Sequence, residues 1–281
     1  MACTISAAEI KRVKAQGFLN NKGTDLFNAR VITVNGKITA QQTAVLAQAA
    51  EKFGNGEVEF TTRLTVEIRG VHFDDIPAFQ EFIAPAGLIT GGTGSLVRPV
   101  VSCKGTTCQY GLYDTFALSE KIHQRFYLGY HSVKLPHKFK IACGGCPNNC
   151  VKPTLNDLGI IGQLVPTVDS DACNGCKKCQ IVNTCPMRAA KLEDGELTID
   201  PALCSNCGLC VNRCPFDVVE GGVSGFKIYI GGRWGKKMAV AQPLNRLFTD
   251  EEELLRTVEK AILFFREQGK TGERFADTIS R

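Results

Sequence analysis

The pattern of hydrophobic and polar positions predicts regular α and β elements throughout the first 90 residues. A capping box at Ser6–Glu9 and a capping threonine at Thr39 mark two helix starts, and residues 57–69 alternate in the manner of a strand. The predicted elements are a helix to about Gln16, a strand at 30–35, a helix at 39–53, a strand at 57–69 and a helix near 74–83. This order describes a small α/β half-domain over residues 1–90.

Regular patterning resumes beyond residue 90 but is interrupted once. The predicted elements are strands at 97–102, 138–142, 159–165 and 226–230 and helices at 115–128 and 249–268. A capping box at Thr249–Glu252 opens the last helix. Residues 166–220 have little periodicity and contain eight cysteines. The pattern therefore predicts a cysteine-rich module at 166–220, inserted into a domain made of residues 91–165 and 221–281.

Composition narrows the class of protein. Of 281 residues, 44% are hydrophobic and 22% charged, which excludes a disordered chain. The uncharged run 82–97 is too short for a membrane span and contains Pro85, and the first residues lack the apolar core of a signal peptide. A cytoplasmic protein is expected, and 14 cysteines in a reducing compartment indicate metal binding. The net charge of +5 favours an ordinary soluble surface over nucleic-acid binding.

The eight cysteines of the inserted module form two runs, each closed by a Cys-Pro pair. The second run, from Cys204 to Pro215, matches the bacterial ferredoxin pattern, whereas the first has two extra residues before Cys185, which predicts a bulged loop. In this pattern the remote cysteine of each run ligates the other cluster. The predicted ligands are Cys173, Cys176, Cys179 and Cys214 for one 4Fe-4S cluster and Cys204, Cys207, Cys210 and Cys185 for the other. Zinc is the alternative for CxxC pairs, but two complete runs favour iron–sulfur clusters.

A second group of cysteines lies outside the module. Cys103 and Cys108 follow one predicted strand, and Cys146 and Cys150 follow another. Four thiolates at the ends of strands suit a third 4Fe-4S cluster. The alternative is four buried free cysteines without a metal.

The segments around this second group resemble those of siroheme-containing sulfite and nitrite reductases. The resemblance is carried by TTRLTVEIRGV (61–71), RPVVSCKGTTC (98–108), PHKFK (136–140) and CGGCPNNC (143–150). The cysteine module, GFKIYIGGRWGKK (225–237) and GERF (272–275) resemble the dissimilatory branch, and the chain as a whole is most similar to the short catalytic chain of the anaerobic sulfite reductase type. The resemblance implies an α+β fold: a half-domain of the sulfite reductase type and a siroheme and 4Fe-4S domain, with an inserted bacterial 2x(4Fe-4S) ferredoxin module.

The resemblance also implies roles for individual residues. Cys103, Cys108, Cys146 and Cys150 correspond to the ligands of the siroheme-linked cluster, and Cys150 would also be the axial ligand of the siroheme iron. Asn148 is expected to support this loop by hydrogen bonding. The family usually has five residues between its first two cysteines and this chain has four, so the geometry of that loop stays open.

Four basic residues match the anion-binding positions of the family. They are Arg63, Arg98, Lys138 and Lys140. Lys138 and Lys140 stand two apart, so they share a face on extended backbone. Cations at these positions would compensate the siroheme carboxylates, bind the sulfite dianion and help to protonate departing oxygens. The alternative is that they are solvated surface charges.

The function implied by the resemblance is that of a siroheme-dependent sulfite reductase catalytic subunit with one siroheme and three 4Fe-4S clusters. Two alternatives stay open: a siroheme nitrite reductase that produces ammonia, and a polyferredoxin electron carrier without a catalytic haem. No flavin or nicotinamide motif is evident, so iron–sulfur/flavin subunits or a ferredoxin would donate electrons. Because larger relatives contain this unit twice, a homodimer or a heteromeric complex is expected. Cys3 and Cys143 remain, the first expected to be incidental and the second a thiol beside the cluster or an alternative ligand.

Overall fold

The computed structural model describes residues 5–281, so Cys3 lies outside the described residues. The fold is a mixed α+β fold with three sheets, and three separate hydrophobic clusters accompany them. None of the helices within residues 5–281 is long and apolar enough to cross a membrane.

The first sheet is antiparallel and carries the N-terminal core. Its elements are α1 (Ala7–Ala15), β1 (Phe18–Asn20), β2 (Leu26–Val31), α2 (Ala40–Phe53), β3 (Val58–Phe60), β4 (Val66–His72) and α3 (Ile76–Ile83). The strand order is β1-β2-β4-β3. Both predicted N-terminal caps are present, because Ser6 and Thr39 each accept a hydrogen bond from the third backbone N–H of their helix and form complete capping boxes. Phe53 of α2 packs edge-on against Phe79 of α3, which closes one side of the sheet.

Two of the predicted strands in this part were placed wrongly. The segment 57–69 is a hairpin of β3 and β4, not one strand, because the chain turns at 61–65 with Leu64 in left-handed backbone (φ 59°). Alternation continues across the turn, so the pattern could not reveal it. The strand expected at 30–35 ends at Val31 instead, and the residues after it form a turn at Asn35–Gly36.

The second sheet combines parallel and antiparallel strands. Its elements, with the helices that cover it, are β5 (Val101–Ser102), α4 (Thr115–Ile122), β6 (Ile141–Gly144), β7 (Leu158–Thr167), then, after the cysteine-rich segment, β10 (Gly221–Ile230), β11 (Gln242–Pro243), α6 (Glu251–Gln268) and α7 (Phe275–Ser280). The order is β11-β10-β7-β6-β5, and β5, β6 and β7 run parallel. Phe265 of α6 and Phe275 of α7 pack with Phe139 at the centre of this core.

Several boundaries in the second sheet differ from the predicted ones. The strand expected at 138–142 lies at Ile141–Gly144, so Lys138 and Lys140 precede it, and the strand expected at 97–102 is reduced to β5. The helix expected at 115–128 changes to π-helix at His123–Leu128. Helix α6 is capped by Asp250, which accepts from the Glu253 N–H, and not by Thr249.

The cysteine-rich segment leaves and re-enters the second sheet at one point. It contains α5 (Gln180–Thr184), β8 (Ala190–Glu193) and β9 (Glu196–Ile199), and β8 and β9 form a hairpin of their own. The two flanking strands, β7 and β10, pair along ten residues, from Gly221 opposite Thr167 to Ile230 opposite Leu158. The residues between β7 and β10 are therefore inserted in the sequence, while the two strands still pair directly in the sheet. They have a small core of their own around Ile181, Leu197 and Val219.

Candidate functional site

An open cavity of about 510 Å³ lies where the β3–β4 turn of the first sheet meets the parallel strands of the second. Its lining includes Arg63 from the turn, Lys140 from the segment before β6, and Cys150 from the loop after β6. Arg63 is distant in sequence from the other two residues, so only the packing of the two sheets brings all three to one space. Two of the four predicted cations, Arg63 and Lys140, line this cavity.

The guanidinium of Arg63 is held at the cavity by the second sheet. It donates to the carbonyl oxygen of Pro99 at 2.8 Å and to the side-chain oxygen of Asn156 at 2.9 Å. Its Nε is buried and has no hydrogen-bond partner in residues 5–281. Burial, with a contribution from nearby Arg98, lowers the pKa of Arg63 to about 10, so the group keeps its charge at neutral pH. Arg63 is therefore a fixed cation whose buried Nε–H has no partner in the described residues.

The other three cations lie around Arg63. Arg98 donates to the carbonyl oxygens of Gly92 and Gly94, and burial followed by the charge of Arg30 lowers its pKa to about 10. Lys138 and Lys140 are partly exposed and flank buried Phe139 in the chain. Burial, followed by the charge of Arg63, lowers the pKa of Lys140 to about 8. Arg98 and Lys138 do not line the cavity itself.

A buried ion pair beneath the cations was missed by the sequence analysis. Arg274 donates to both carboxylate oxygens of Asp157, at 2.9 and 3.1 Å, and the side chains are 8% and 0% exposed. The second of these oxygens also accepts the backbone N–H of Lys140 at 2.9 Å. The pair therefore fixes the backbone that carries Lys140. The GERF segment contained this arginine, but nothing in its pattern indicated the partner 117 residues away.

The outer rim of the cavity adds two more residues that the sequence did not single out. Lys152 and Trp234 both line it, and the Lys152 ammonium lies 6.0 Å from the centre of the Trp234 ring. Lys152 has left-handed backbone (φ 49°), as does Asn149 (φ 59°), so the loop after Cys146 turns sharply twice. This turn leaves Cys150 exposed at the cavity.

The structure brings the second group of cysteines together beside the loop that follows β6. Cys103 accepts a hydrogen bond from the backbone N–H of Gly145 at 3.1 Å. Burial raises the pKa of the Cys146 thiol, and the charges of Cys103, Cys150 and Cys108 raise this pKa further. The loops approach closely, because a side chain on Gly105 would place its Cβ 3.0 Å from the Gly145 Cα. The four predicted cysteines are therefore neighbours in space.

Asn148 and Cys143 both lie beside this group of cysteines. Asn148 makes its hydrogen bond through the backbone, since its N–H donates to the Cys146 sulfur. Support from a side chain comes from Asn149, whose amide donates to the Thr154 hydroxyl at 3.2 Å. Cys143 is fully buried within β6 in the hydrophobic core, and burial strongly raises the pKa of its thiol.

The eight cysteines of the inserted segment line two further cavities, four to each. One cavity is lined by Cys173, Cys176, Cys179 and Cys214, together with apolar residues such as Leu197 and Val218. The other is lined by Cys185, Cys204, Cys207 and Cys210, together with Met187 and Ile199. In each set, three cysteines come from one run and the fourth from the other run. We call these the outer set and the inner set, respectively. Within residues 5–281 no three His, Cys, Asp or Glu side chains converge closely enough to hold one metal ion.

The inner set lies against the second sheet. Cys207 forms a parallel bridge with Leu164 of β7, the Leu164 N–H donates to the Asn206 carbonyl at 2.8 Å, and Gly208 packs on the Leu164 side chain. A cavity of about 350 Å³ separates residues 207–213 from residues 109–112, which directly follow Cys108. The inner set is therefore the one that faces the second group of cysteines.

Comparison with known families agrees with this architecture. The model described as nitrite and sulphite reductase 4Fe-4S domain matches residues 93–281, and the model described as nitrite/sulfite reductase ferredoxin-like half domain matches residues 20–86. The chain therefore belongs to the nitrite and sulfite reductase family, a family of oxidoreductases.

Individual relatives are similar over parts of their length. The coenzyme F420-dependent sulfite reductase of Methanocaldococcus jannaschii is 30% identical over 80% of this chain and 34% of that protein. One subunit of the anaerobic sulfite reductase of Salmonella typhimurium is 28% identical over 56% of this chain and 49% of the relative. The crystal structure of dissimilatory sulfite reductase I has a TM-score of 0.72 at 23% identity and covers 91% of this chain and 66% of that chain. The chain thus spans between a third and a half of these two curated relatives, and the solved structure shares its fold.

Proposed function

We propose that this chain is the catalytic subunit of a siroheme-dependent sulfite reductase, in which three 4Fe-4S clusters relay six electrons to reduce sulfite to sulfide. The observation that carries the proposal is one open cavity lined by Cys150, Arg63 and Lys140. A thiolate and two cations around one space suit an anionic haem and an anionic substrate. The names of the relatives support sulfite as the substrate.

The residues around the cavity fit siroheme, which is a polycarboxylate. Arg63, which lines the cavity with Lys140 and Lys152, has a buried Nε without a partner in the described part of the chain and remains charged at neutral pH. Arg98 does not line the cavity but adds positive charge beside Arg63. Buried donors without partners are rare in native proteins, so they are candidates to bind an anionic group. When bound, siroheme supplies the iron at which the anion is reduced, and Cys150 would hold it and join it to a cluster on Cys103, Cys108, Cys146 and Cys150.

The cations would then perform the acid chemistry that the reaction requires. Each sulfite oxygen leaves as water, so protons must be delivered within the cavity. Lys140 suits this task because its pKa of about 8 keeps it mostly protonated at neutral pH while making proton release easy. Arg63, with its higher pKa and rigid fork of donors, suits binding and polarisation of the anion. Solvent reaches the cavity through its open side and can reprotonate Lys140.

We infer that electrons pass from the outer set to the inner set, and from there to the cluster at Cys108. This order is supported by the contact of Cys207 with β7 and by the single cavity that residues 207–213 and 109–112 line together. Each cavity is lined by three cysteines of one run and one cysteine of the other, as in the bacterial ferredoxin pattern. This arrangement supports one 4Fe-4S cluster in each set. The segment would then be an inserted ferredoxin module.

Removing one cysteine from each set tests the order of the relay. We expect Cys176→Ala to lose the outer cluster while the haem-linked cluster is still reduced quickly by reduced methyl viologen, because the inner set remains. Cys207→Ala is expected to slow that reduction by at least tenfold, since the last step of the relay is missing. Stopped-flow absorbance measures both rates, and cluster content per chain is checked by iron analysis. A faster reduction in Cys207→Ala than in Cys176→Ala contradicts the order.

The chain would need partners for the electron supply. We propose that iron–sulfur and flavin subunits or a ferredoxin donate electrons at the outer set, and that the working enzyme is a homodimer or a heteromeric complex. The name of the Salmonella relative, which is one subunit of its enzyme, supports a multi-subunit assembly. Light scattering on the anaerobically purified chain, alone and with candidate donors, measures the assembly. A strictly monomeric, fully active particle contradicts this part of the proposal.

The function itself is tested on anaerobically purified protein. We expect an absorption spectrum of siroheme, confirmed by extraction of the pigment, and faster turnover with sulfite than with nitrite when reduced methyl viologen is the donor. The family includes nitrite reductases, so faster turnover with nitrite would identify the chain as a siroheme nitrite reductase. Iron–sulfur clusters without any haem would identify it as an electron carrier.

Replacing Arg63 by alanine tests the anion site separately from the clusters. We expect the KM for sulfite, measured per bound haem, to rise about tenfold or more while cluster content is retained, because a fixed cation at the cavity is lost. The matched control is Arg69→Ala, which removes an exposed arginine of β4 that pairs only with the surface carboxylates Glu57 and Glu59. An unchanged dependence on sulfite in Arg63→Ala, with the control also unchanged, removes Arg63 from the site.

A further inference from the structure

A buried phenol hydroxyl beside the second group of cysteines has no oxygen or nitrogen partner. Tyr113 lies in the loop between Cys108 and α4, and its hydroxyl oxygen is buried without a conventional hydrogen bond in the described part of the chain. A buried donor without a partner is uncommon in native proteins and calls for a ligand or a functional reason. No role in binding the anion accounts for it, since Tyr113 does not line the 510 Å³ cavity.

The surrounding residues fix the direction of this side chain. The ring packs edge-on against Phe226 with centroids 5.0 Å apart, and its edge lies so close to Gly162 that an added Cβ there would be 2.6 Å from the ring. The preceding residue is tied to the cysteine loop, because the Leu112 N–H donates to the Gly145 carbonyl at 2.9 Å. The N–H of this same Gly145 donates to the Cys103 sulfur. The hydroxyl therefore cannot turn away to solvent without breaking these contacts.

The polar groups that surround the hydroxyl are thiols. Burial raises the pKa of the Tyr113 hydroxyl, and the nearby Cys143, Cys103 and Cys146 thiols raise it further. Cys143 lies in the wall of the core, whereas Cys103 and Cys146 belong to the group proposed to hold the haem-linked cluster. The hydroxyl thus lies at the boundary between the hydrophobic core and the proposed cluster.

We propose that Tyr113 donates a hydrogen bond from its hydroxyl to a sulfur of the 4Fe-4S cluster held by Cys103, Cys108, Cys146 and Cys150, and thereby raises the reduction potential of that cluster. This inference rests on the proposed function, because it requires the cluster. A hydrogen bond to sulfur stabilises the reduced, more negative cluster more than the oxidised one, and such bonds are among the factors that set iron–sulfur potentials. A cluster sulfur carries negative charge and is therefore a better acceptor than the neutral Cys143 thiol. Tyr113 is a positioning and tuning residue, not a ligand.

The hydrogen bond would favour electron transfer toward this cluster. A higher potential on the last cluster of the relay makes electron transfer from the inner set downhill and keeps the cluster reduced between turnovers. Loss of the hydroxyl should therefore lower the potential first and slow turnover only as a result.

The test is Tyr113→Phe, which removes the hydroxyl and keeps the ring. In anaerobic redox titrations monitored by electron paramagnetic resonance, we expect the cluster signal to persist and its reduction equilibrium to shift about tenfold toward the oxidised form, which is about 59 mV for one electron. The matched control is Tyr130→Phe, whose hydroxyl donates to Glu259 of α6 and whose loss should leave the potential unchanged. An unchanged potential in Tyr113→Phe with the cluster intact overturns the proposal.

A second measurement does not depend on how the variant folds. Incorporation of fluorotyrosine at the five tyrosines makes the phenol a stronger donor, so the potential of the cluster should rise in the otherwise unaltered chain. No rise overturns the inference. If the unaltered protein shows no signal for this cluster at all, the proposed function of the site has failed. This outcome differs from an intact cluster whose potential does not change when the Tyr113 hydroxyl is removed.

Discussion

Replacement of Cys150 by alanine is expected to abolish sulfite reduction and to disrupt both the siroheme and the cluster beside it. Cys150 is exposed at the cavity, on a loop turned by the left-handed residues Asn149 and Lys152, and it lies close enough to Cys146 to influence that thiol. If Cys150 holds both the siroheme and a cluster, as proposed above, its thiolate would join the two groups electronically. Loss of this one sulfur would then remove a ligand from each of them.

The measurements for this variant are the absorption spectrum, the iron content and the rate of sulfite reduction with reduced methyl viologen. We expect turnover to fall by several orders of magnitude and both chromophores to decrease. The matched control is Cys143→Ala, a little earlier in the chain, whose thiol is buried within β6 and which should keep both chromophores. Retention of bound siroheme and full turnover in Cys150→Ala would show that the bridging assignment is wrong.

The second large effect is expected on stability, at the buried ion pair of Asp157 and Arg274. Arg274→Ala leaves the Asp157 carboxylate, which is 0% exposed, without its cation. Breaking a buried pair in this way costs about 3–5 kcal/mol in the free energy of unfolding. Far-ultraviolet circular dichroism in a urea titration measures the unfolding, because the single tryptophan, Trp234, is already exposed in the folded chain. Arg233→Ala, which removes a neighbouring ion pair to partly exposed Asp277, is the surface control and should cost less than about 1 kcal/mol.

The loss of stability in Arg274→Ala should depend on pH, and its direction follows from the pKa of Asp157. Burial raises the pKa of Asp157, and Arg274 opposes that rise, so removal of Arg274 raises the pKa further. A carboxyl group with a raised pKa in the folded state destabilises the protein as pH rises from its unfolded pKa toward the folded one. The defect should therefore be largest at neutral pH and shrink as the pH is lowered and Asp157 becomes protonated. This carboxylate interacts with the backbone N–H of Lys140 and with the charges of Arg274 and Lys140, and also with those of Lys138, Arg63 and Arg98.

A double substitution separates the cost of an unpaired charge from the loss of packing. Asp157→Leu combined with Arg274→Met removes both charges and should be less destabilising than Arg274→Ala alone, because no buried charge is left without a partner. The sulfite dependence should still change, since the Asp157 carboxylate no longer holds the backbone of Lys140. Simple additivity of the two single substitutions contradicts this account.

The grouping of the cysteines in the inserted segment could be predicted from the sequence because a recurring spacing pattern relates them. The CxxCxxC runs and their Cys-Pro pairs predicted which four cysteines belong together, and the same two groups of four line two cavities. The helix caps at Ser6 and Thr39 were equally local, because a cap involves residues three apart. Strand boundaries were less accurate, since alternation continued through the turn at Leu64 and could not register a reversal of the chain.

The sequence by itself determined a mixed α+β chain with a cysteine-rich segment that contains two runs of the ferredoxin type. It also indicated the second group of cysteines and four cations that accompany it. Only the tertiary structure decided which cations share a cavity with Cys150, that Asp157 and Arg274 lie beneath them, and that the Tyr113 hydroxyl faces the cysteine loop. The physical reason is sequence distance. Spacing within a turn or a strand fixes the relation of residues a few positions apart. Asp157 and Arg274 meet only because the C-terminal helix packs back on the second sheet, and Arg63 reaches the same region only because the two sheets pack together.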